Sequence, residues 1–295
     1  MALSARRPEN AGPWNAAVVG DRLGVSPTGL DRRLGYTANQ SGEDKTAPHI
    51  EFANTESEMQ PWKLATRSLA FGEIPLVMGI CNVTPDSFSD GGKLSSIDIA
   101  VSAAIQMEQD GAAIIDIGGE STRPNADLVT AREELARVLP VIEALRGKLS
   151  IPISIDTSKA SVARAAIDAG AEIINDVTGL QGDPKMVNVA AQSGVGVCVM
   201  HMRGTPQTMQ DDPSYENVVE EIHDYLVQRK RFCLDAGIQH DRICLDPGIG
   251  FGKTHQHNLE LLRAADRFTD LGSPVLIGHS RKGFIAKIIG DKQAD

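Results

Sequence analysis

From about residue 75 onward, short apolar runs alternate with longer stretches whose apolar residues recur every three or four positions. The runs at 76–80, 113–117, 151–155, 172–174, 195–200, 243–245 and 274–277 are rich in Ile and Val and too short for helices. They predict strands buried on both faces. Between them, 97–110 places Ile97, Val101, Ala104 and Ile105 on one face and stops at Gly111. Further helices are predicted over 130–145, from a Ser158 cap to Gly170, and over 184–192, 215–236 and 258–265, with 280–289 opening another. Strands that alternate with helices through short connections must run parallel and cross over right-handedly. The expected architecture is therefore α/β, a (β/α)8 TIM barrel, with an open doubly wound sheet as the second choice. The pattern supplies seven strands before Asp295, so the last strand and helix of the barrel are expected to be missing.

Residues 1–58 carry Gly, Pro, Ser, Asn and charge without a sustained period and are expected to be disordered or extraneous, with Met59 a candidate start of the functional protein. The barrel domain is placed at 59–295, and 62–71 reads as a hairpin leading into the first buried strand. Composition narrows the class. The chain is 41% hydrophobic and carries a formal net charge of -10, which argues against a general nucleic-acid coat. Cys81, Cys198, Cys233 and Cys244 form no C-x-x-C pair. With no apolar run of membrane-spanning length and no basic-then-apolar N-terminus, a soluble protein of the reducing cytoplasm is expected.

Candidate chemistry lies just past the strands. The segment PLVMGICNVTPDSFSDGG at 75–92 passes from a buried strand to a polar loop after Asn82, the place where barrel enzymes put their active sites. The other strand ends carry Asp116, Asp156, Asn175, Met200, Asp246 and the run His279, Ser280, Arg281, Lys282. One strand-end Asp is usually a cap or turn residue. Repetition at one topological position points instead to a shared pocket. Carboxylates and amides there suit the N–H and amino groups along one edge of a flat heterocycle. Lys282 offers a point charge, and Arg123 and Arg281 suit an anionic group. Asn82 supplies an oxygen of the kind that joins a phosphate around Mg²⁺. The Gly252-Lys253-Thr254 string resembles the end of a P-loop, but Pro247 stands where that motif needs Gly. His201 is expected to be packed, and His255 and His257 solvated.

Several strings together carry a family resemblance: NVTPDSFSDGG at 82–92, DIGGESTRP at 116–124, SIDT at 154–157, IINDVTG at 173–179, MHMRGTPQTMQ at 200–210, DPGIGFGKT at 246–254 and SRKGFI at 280–285. In this order, over about residues 61–290, the chain resembles the dihydropteroate synthases of folate biosynthesis. That resemblance implies a pterin-binding domain that condenses 6-hydroxymethyl-7,8-dihydropterin pyrophosphate with p-aminobenzoate to 7,8-dihydropteroate and pyrophosphate. It implies that Asp116, Asp156, Asn175, Asp246 and Lys282 hold the pterin, with Met200 packed beside it. Asn82 is implied as the ligand of Mg²⁺, and Thr122 and Arg123 as facing the pyrophosphate and the rim. Pro124, Phe251, Ser280 and Lys282 are implied to border p-aminobenzoate. The resemblance also implies that Asn82, Arg123, Asp156 and Lys282 carry the catalytic roles, and that the loops after Asn82 and Gly118 close over a cationic intermediate. A homodimer, small-molecule substrates and sensitivity to sulfonamides are further implications.

The chain departs from the family pattern at Asn125, where Gly is usual, and at His279, where a small residue is usual. It also shows no R-V-H-D string, whose Arg and His bind pyrophosphate in the family, so an open barrel with an incomplete anion site is expected. The alternatives are a pterin-binding methyltransferase serving a corrinoid protein, or an inactive pterin-binding fragment or paralogue.

Overall fold

A computed structural model describes residues 15–20, 61–84, 96–122, 127–280 and 282–290. The loops expected to act as lids, beyond Thr84 and at 123–126, lie outside the described residues, as do Arg123, Pro124, Arg281 and most of the N-terminal segment. Ten strands are described: β1 Asn15–Gly20, β2 Trp62–Lys63, β3 Ser68–Leu69, β4 Leu76–Asn82, β5 Ile114–Gly118, β6 Ile153–Asp156, β7 Ile173–Asp176, β8 Gly196–Met200, β9 Ile243–Asp246 and β10 Val275–Ile277. The helices are α1 Ser96–Gln109, α2 Ala131–Leu145, α3 Ala160–Ala169, α4 Met186–Ser193, α5 Val218–Asp235, α6 His255–Arg263, α7 Ala265–Thr269 and α8 Gly283–Ile289.

Strands β4 to β10 lie side by side in chain order, all parallel, and form the predicted barrel. Its closure corrects two expectations. The barrel is not open, because β1 fills the gap between β10 and β4 and pairs antiparallel with both. Residues 15–20 therefore belong to the barrel rather than to an extraneous segment. The string NAAVVG shows why periodicity does not reveal this strand: four apolar residues between Asn15 and Gly20 give too short a run to stand out in a Gly- and Pro-rich surrounding. Val18 pairs with Val77 on one side and Ile277 on the other, so both ladders are satisfied.

Alternation along the strands separates two cores. Outward residues, among them Cys81, Ile115, Ile117, Ile155, Ile174, Val197, Val199 and Leu245, pack under the helices. Inward residues Ala17, Val19, Met78, Ile114, Ile173, Cys198, Cys244 and Leu276 fill the barrel. The β2–β3 hairpin caps that filling from below. Trp62 and Leu64 are fully buried against it, and the Trp62 indole donates to Arg242 O at 2.9 Å. Gly196 makes room, since a Cβ there would lie 2.6 Å from Leu64. The lower barrel is thus an apolar layer closed by the hairpin.

Helix starts follow local chemistry more closely than apolar period. Thr130 caps α2 in a capping box with Glu133. The cap of α3 comes from outside: Asp183 Oδ2 accepts from Ala160 N at 3.0 Å, in place of the expected Ser158. Asn217 starts α5, accepting from Glu220 N at 3.2 Å. Thr254 caps α6 with His257 as its reciprocal partner, so the Gly-Lys-Thr string opens a helix through its Thr hydroxyl. His257 is accordingly half-buried, with its ring edge-on to Tyr215 at 5.0 Å, rather than solvated. Among the described residues, no helix is long and apolar enough to cross a membrane.

Candidate active site

Inward parity carries the site. The alternation that points Met78, Ile114, Ile173, Cys198 and Cys244 into the dry lower barrel points Asn82, Asp116, Ser154, Asp156, Asn175, Met200 and Asp246 inward nearer the carboxyl ends of the strands. A polar layer thus rests on an apolar one, open only toward the loops. Ser154 completes this layer, opposite Asp116 in register, and is fully buried. Strand ends alone do not point to it, because it precedes the last residue of its strand by two positions.

Asp116 is 2% exposed and accepts the Asn175 side-chain amide on Oδ2 at 3.2 Å. Its Oδ1 is buried and makes no hydrogen bond of normal geometry among the described residues, and neither does the Ser154 hydroxyl, which faces the Asp116 carboxyl closely enough to favour its charged form. Such an orphan acceptor costs about 1–3 kcal/mol unless something pairs with it. Burial raises the Asp116 pKa, with Ser154 and Asn175 beside it working against the shift. The Asp156 carboxyl is pushed well above its ordinary range, first by burial and then by the negative charges of Asp116, Glu134, Asp176 and Glu120. Inward carboxyls in a low-dielectric wall form a site that attracts cations and N–H donors.

Gly118 separates Asn82 from Asp156. A Cβ at Gly118 would lie 3.3 Å from Asn82 Oδ1 and 3.4 Å from Asp156 Oδ2. The bare backbone lets two oxygen donors from β4 and β6 turn toward the same space. Among the described residues no cluster of three His, Cys, Asp or Glu side chains is arranged to hold a metal. The oxygens of Asn82 and Asp156 still match the one or two protein ligands that Mg²⁺ takes beside a phosphate.

On the opposite wall, Asp246 is 5% exposed and accepts from Gly248 N at 2.6 Å through Oδ1. Burial raises its pKa to about 6, against the pull of Gly248 N–H and the Lys282 and Lys253 cations. Lys282 donates to Ile249 O, and its ammonium stands 4.5 Å from the Phe251 ring centre. Burial lowers its pKa to about 8, with Asp246 opposing. Gly250, at φ 84°, leaves room for the lysine stem, since a Cβ there would meet Lys282 Cδ at 2.8 Å. Met200 is buried at the end of β8, and Ser280 and Thr122 are half-buried beyond their strands. The structure thus brings Asp116, Asp156 and Asn175 together on one wall and Asp246, Phe251 and Lys282 on the other.

An ion triad tethers the loop after β5. Lys159 Nζ lies 2.6 Å from Glu120 Oε2 and 2.7 Å from Glu134 Oε2. Glu120 Oε1 accepts from Val129 N at 2.9 Å, and Arg137 donates to Gly119 O at 2.7 Å. Both ends of the 120–129 loop are therefore fixed to the barrel. One signal of this is visible in the sequence, a Lys opening α3 opposite a Glu in α2, but its partners lie 39 and 25 residues away.

Known proteins resemble this chain in sequence and in fold. The family described as pterin binding enzyme matches residues 78–295. A dihydropteroate synthase of Haemophilus influenzae is 49% identical over 222 residues, covering 75% of this chain and 80% of that protein. That of Escherichia coli K12 is 47% identical over 215 residues, covering 73% and 76%. Among solved structures, a Xanthomonas albilineans dihydropteroate synthase in complex with 7,8-dihydropteroate superposes with a TM-score of 0.65 at 44% identity, over 72% of this chain and 75% of that one. A Yersinia pestis dihydropteroate synthase with a sulfonamide drug complex gives a TM-score of 0.68 at 45% identity, over 72% and 77%.

Proposed function

The chain belongs to the pterin-binding enzyme family, among the dihydropteroate synthases, and on that premise we propose how its own residues divide the work. The activity is transfer of a pterinylmethyl group: 6-hydroxymethyl-7,8-dihydropterin pyrophosphate and p-aminobenzoate give 7,8-dihydropteroate and pyrophosphate. The observation that carries the division of roles is the buried, partnerless Oδ1 of Asp116 beside its Asn175-bound Oδ2. A pterin edge, with its ring N–H and amino group, offers the donors that this acceptor needs.

Asp116, Asn175, Asp246 and Lys282 hold the ring, with Met200 against its face. The C–O bond to pyrophosphate breaks first, and the leaving group departs with the electron pair. The ring delocalises the positive charge left on the methylene carbon, and the carboxylates of Asp116, Asp156 and Asp246 stabilise that charge from a preorganised, water-poor wall. The aniline nitrogen of p-aminobenzoate then forms the C–N bond, and its surplus proton passes to water or pyrophosphate. Positioning dominates this step, because an aniline nitrogen needs little help from a base. Phe251, Ser280 and Lys282 border the aminobenzoate, where sulfonamides compete. The resemblance adds Pro124 there and gives Thr122 and Arg123 the pyrophosphate side.

Asn82, with Asp156 across Gly118, would hold Mg²⁺, which neutralises phosphate charge when bound. The exposed apolar surface of α8 at Ile288 suits a homodimer, and four buried thiols suit the cytoplasm. Calorimetry with a pterin lacking the pyrophosphate tests the ring assignment. Asp116→Ala is expected to weaken pterin binding by about 100-fold while leaving the melting temperature near that of the parent. Unchanged pterin affinity would refute the assignment.

A further inference from the structure

Lys253 is a buried lysine that the ring and pyrophosphate assignments leave without a task; burial pushes its pKa well below the ordinary lysine value, and Asp246 opposes that shift. Lys253 is 3% exposed. Its Nζ lies 3.0 Å from His201 Nδ1, 3.3 Å from His201 O and 2.8 Å from Phe251 O. The protonated side chain has three donors, and the three acceptors around it favour that form against the burial. None is left for a ligand, so Lys253 acts on the site through what it holds.

What it holds is a contact between two strand-end loops. The loop after β9 lies so close to the loop after β8 that a Cβ at Gly248 would be 1.9 Å from His201 O, and one at Gly252 would be 2.6 Å from Arg203 O. Both glycines also have φ above +60°, which L side chains resist. Around this seam, Gln210 donates to Gly250 O at 2.9 Å and Tyr215 to Gly252 O at 2.8 Å. Those two contacts sit at the rim, whereas Lys253 is inside. One of its acceptors is the carbonyl of Phe251, whose ring lies under the Lys282 ammonium.

We propose that Lys253 is a positioning residue for the aminobenzoate side of the site: it ties Phe251 O to His201 Nδ1 and O, and so fixes the Phe251 ring beneath Lys282. This rests on the reading that Phe251 and Lys282 border p-aminobenzoate. The tie requires a neutral His201 that accepts on Nδ1 and carries its proton on Nε2. Burial, with the Lys253 and Arg203 cations, lowers the His201 pKa to about 2, in keeping with that form.

Three measurements on the whole chain test the proposal. The first is ¹⁵N NMR of the histidine ring nitrogens in the unaltered protein, where His201 is expected to hold the Nε2–H tautomer from pH 5.5 to 8.5. The second is steady-state kinetics of Lys253→Met, which keeps the aliphatic stem and removes the donors. The KM for p-aminobenzoate is expected to rise about tenfold, with the pterin KM within about twofold of the parent. The third is His201→Phe, which removes one acceptor, keeps an aromatic ring and leaves both carbonyls; it is expected to shift the same KM by about threefold, and it decides the matter if Lys253→Met does not fold. An Nδ1–H tautomer, an equal rise in both KM values, or an unchanged aminobenzoate KM overturns the proposal. Phe251→Ala separates it from the reading beneath it. If that variant leaves the aminobenzoate KM unchanged, the reading of the site fails. If it raises that KM while Lys253→Met does not, only the positioning role fails.

Discussion

Asn175 donates its side-chain amide to Asp116 Oδ2 at 3.2 Å across the intervening strand β6, so β5 and β7 are joined inside the barrel by a polar contact above the dry layer. The contact orients Asp116 so that its free oxygen is left for a ligand. Asp116→Ala is expected to weaken pterin binding by about 100-fold and Asn175→Ala by about 10-fold, the smaller loss reflecting an indirect share of the contact. Because the two residues act as a unit, the double variant is expected to lose less than the product of the two. Isothermal titration with a pterin checks both figures, and strict additivity would show that the contact does not matter for binding.

Asp246 and Lys282 each limit the pH range of activity, alongside the raised carboxyls of Asp116 and Asp156. The Asp246 pKa is raised to about 6 and that of Lys282 lowered to about 8. Ring binding needs Asp246 ionised as an acceptor and Lys282 protonated as a donor. The profile of kcat/KM for the pterin substrate in the free enzyme is therefore expected to be bell-shaped, with limbs near those two values. Asp246→Asn should shift the acid limb and remove most of the activity, the Asp116 and Asp156 carboxyls then shaping that limb, and Lys282→Met should remove the alkaline one. A flat profile between pH 5 and 9 would rule out both assignments.

Asp246 also weakens the empty protein. Its folded pKa of about 6 exceeds the ordinary 3.8, so the native state holds this proton more tightly than the unfolded chain does. The native state therefore loses stability as pH rises from about 4 through 6. A rise of that size in a buried carboxyl corresponds to roughly 3 kcal/mol at neutral pH. Asp246→Asn keeps an acceptor for Gly248 N and removes the charge. Without ligand, it is expected to melt several degrees above the parent at pH 7.5 and close to it at pH 4.5. Equal differences at both pH values would show that the charge is not the cause.

Asn82 separates turnover from affinity. Its Oδ1 faces the space that Asp156 shares across Gly118. Asn82→Ala is expected to raise the Mg²⁺ concentration for half-maximal rate and to lower kcat by about 10-fold or more, with pterin affinity little changed. Matched losses in kcat and pterin affinity would place Asn82 on the ring instead.

Much of the barrel and its polar layer is legible in the sequence because strand ends and inward parity are two-residue rules. Asp156, Asn175 and Asp246 can be read from short apolar runs closing on a polar residue, and Asp116 as a carboxyl inside such a run. Ser154 and the Lys159–Glu120–Glu134 triad cannot, since one lies within its run and the other joins residues far apart in the chain. Lys253 sits in a string that resembles a P-loop and fails as one. What it does instead depends on backbone proximity at Gly248 and Gly252, which no spacing reveals. The cap of α3 is hidden for the same reason, Asp183 being 23 residues from Ala160, whereas Ser158 stands at the expected place.

β1 is the largest element that the pattern hides, and it bears the most direct test. Val19 is fully buried among Met78, Ile114 and Leu276 inside the barrel, while its backbone pairs with Leu76 and Leu276. Val19→Asp would put a carboxylate into that dry layer with no partner, at a cost of about 3 kcal/mol or more. The midpoint of urea unfolding is expected to fall accordingly. Val18→Thr, on the outward face, is expected to change it far less. Removing residues 1–20 would leave the edges of β4 and β10 unpaired, and unpaired edges recruit other chains. The shortened protein is therefore expected to form higher oligomers in size-exclusion chromatography. If Val19→Asp unfolds at the parent's midpoint and the shortened chain elutes as the parent does, then β1 does not close the barrel in solution.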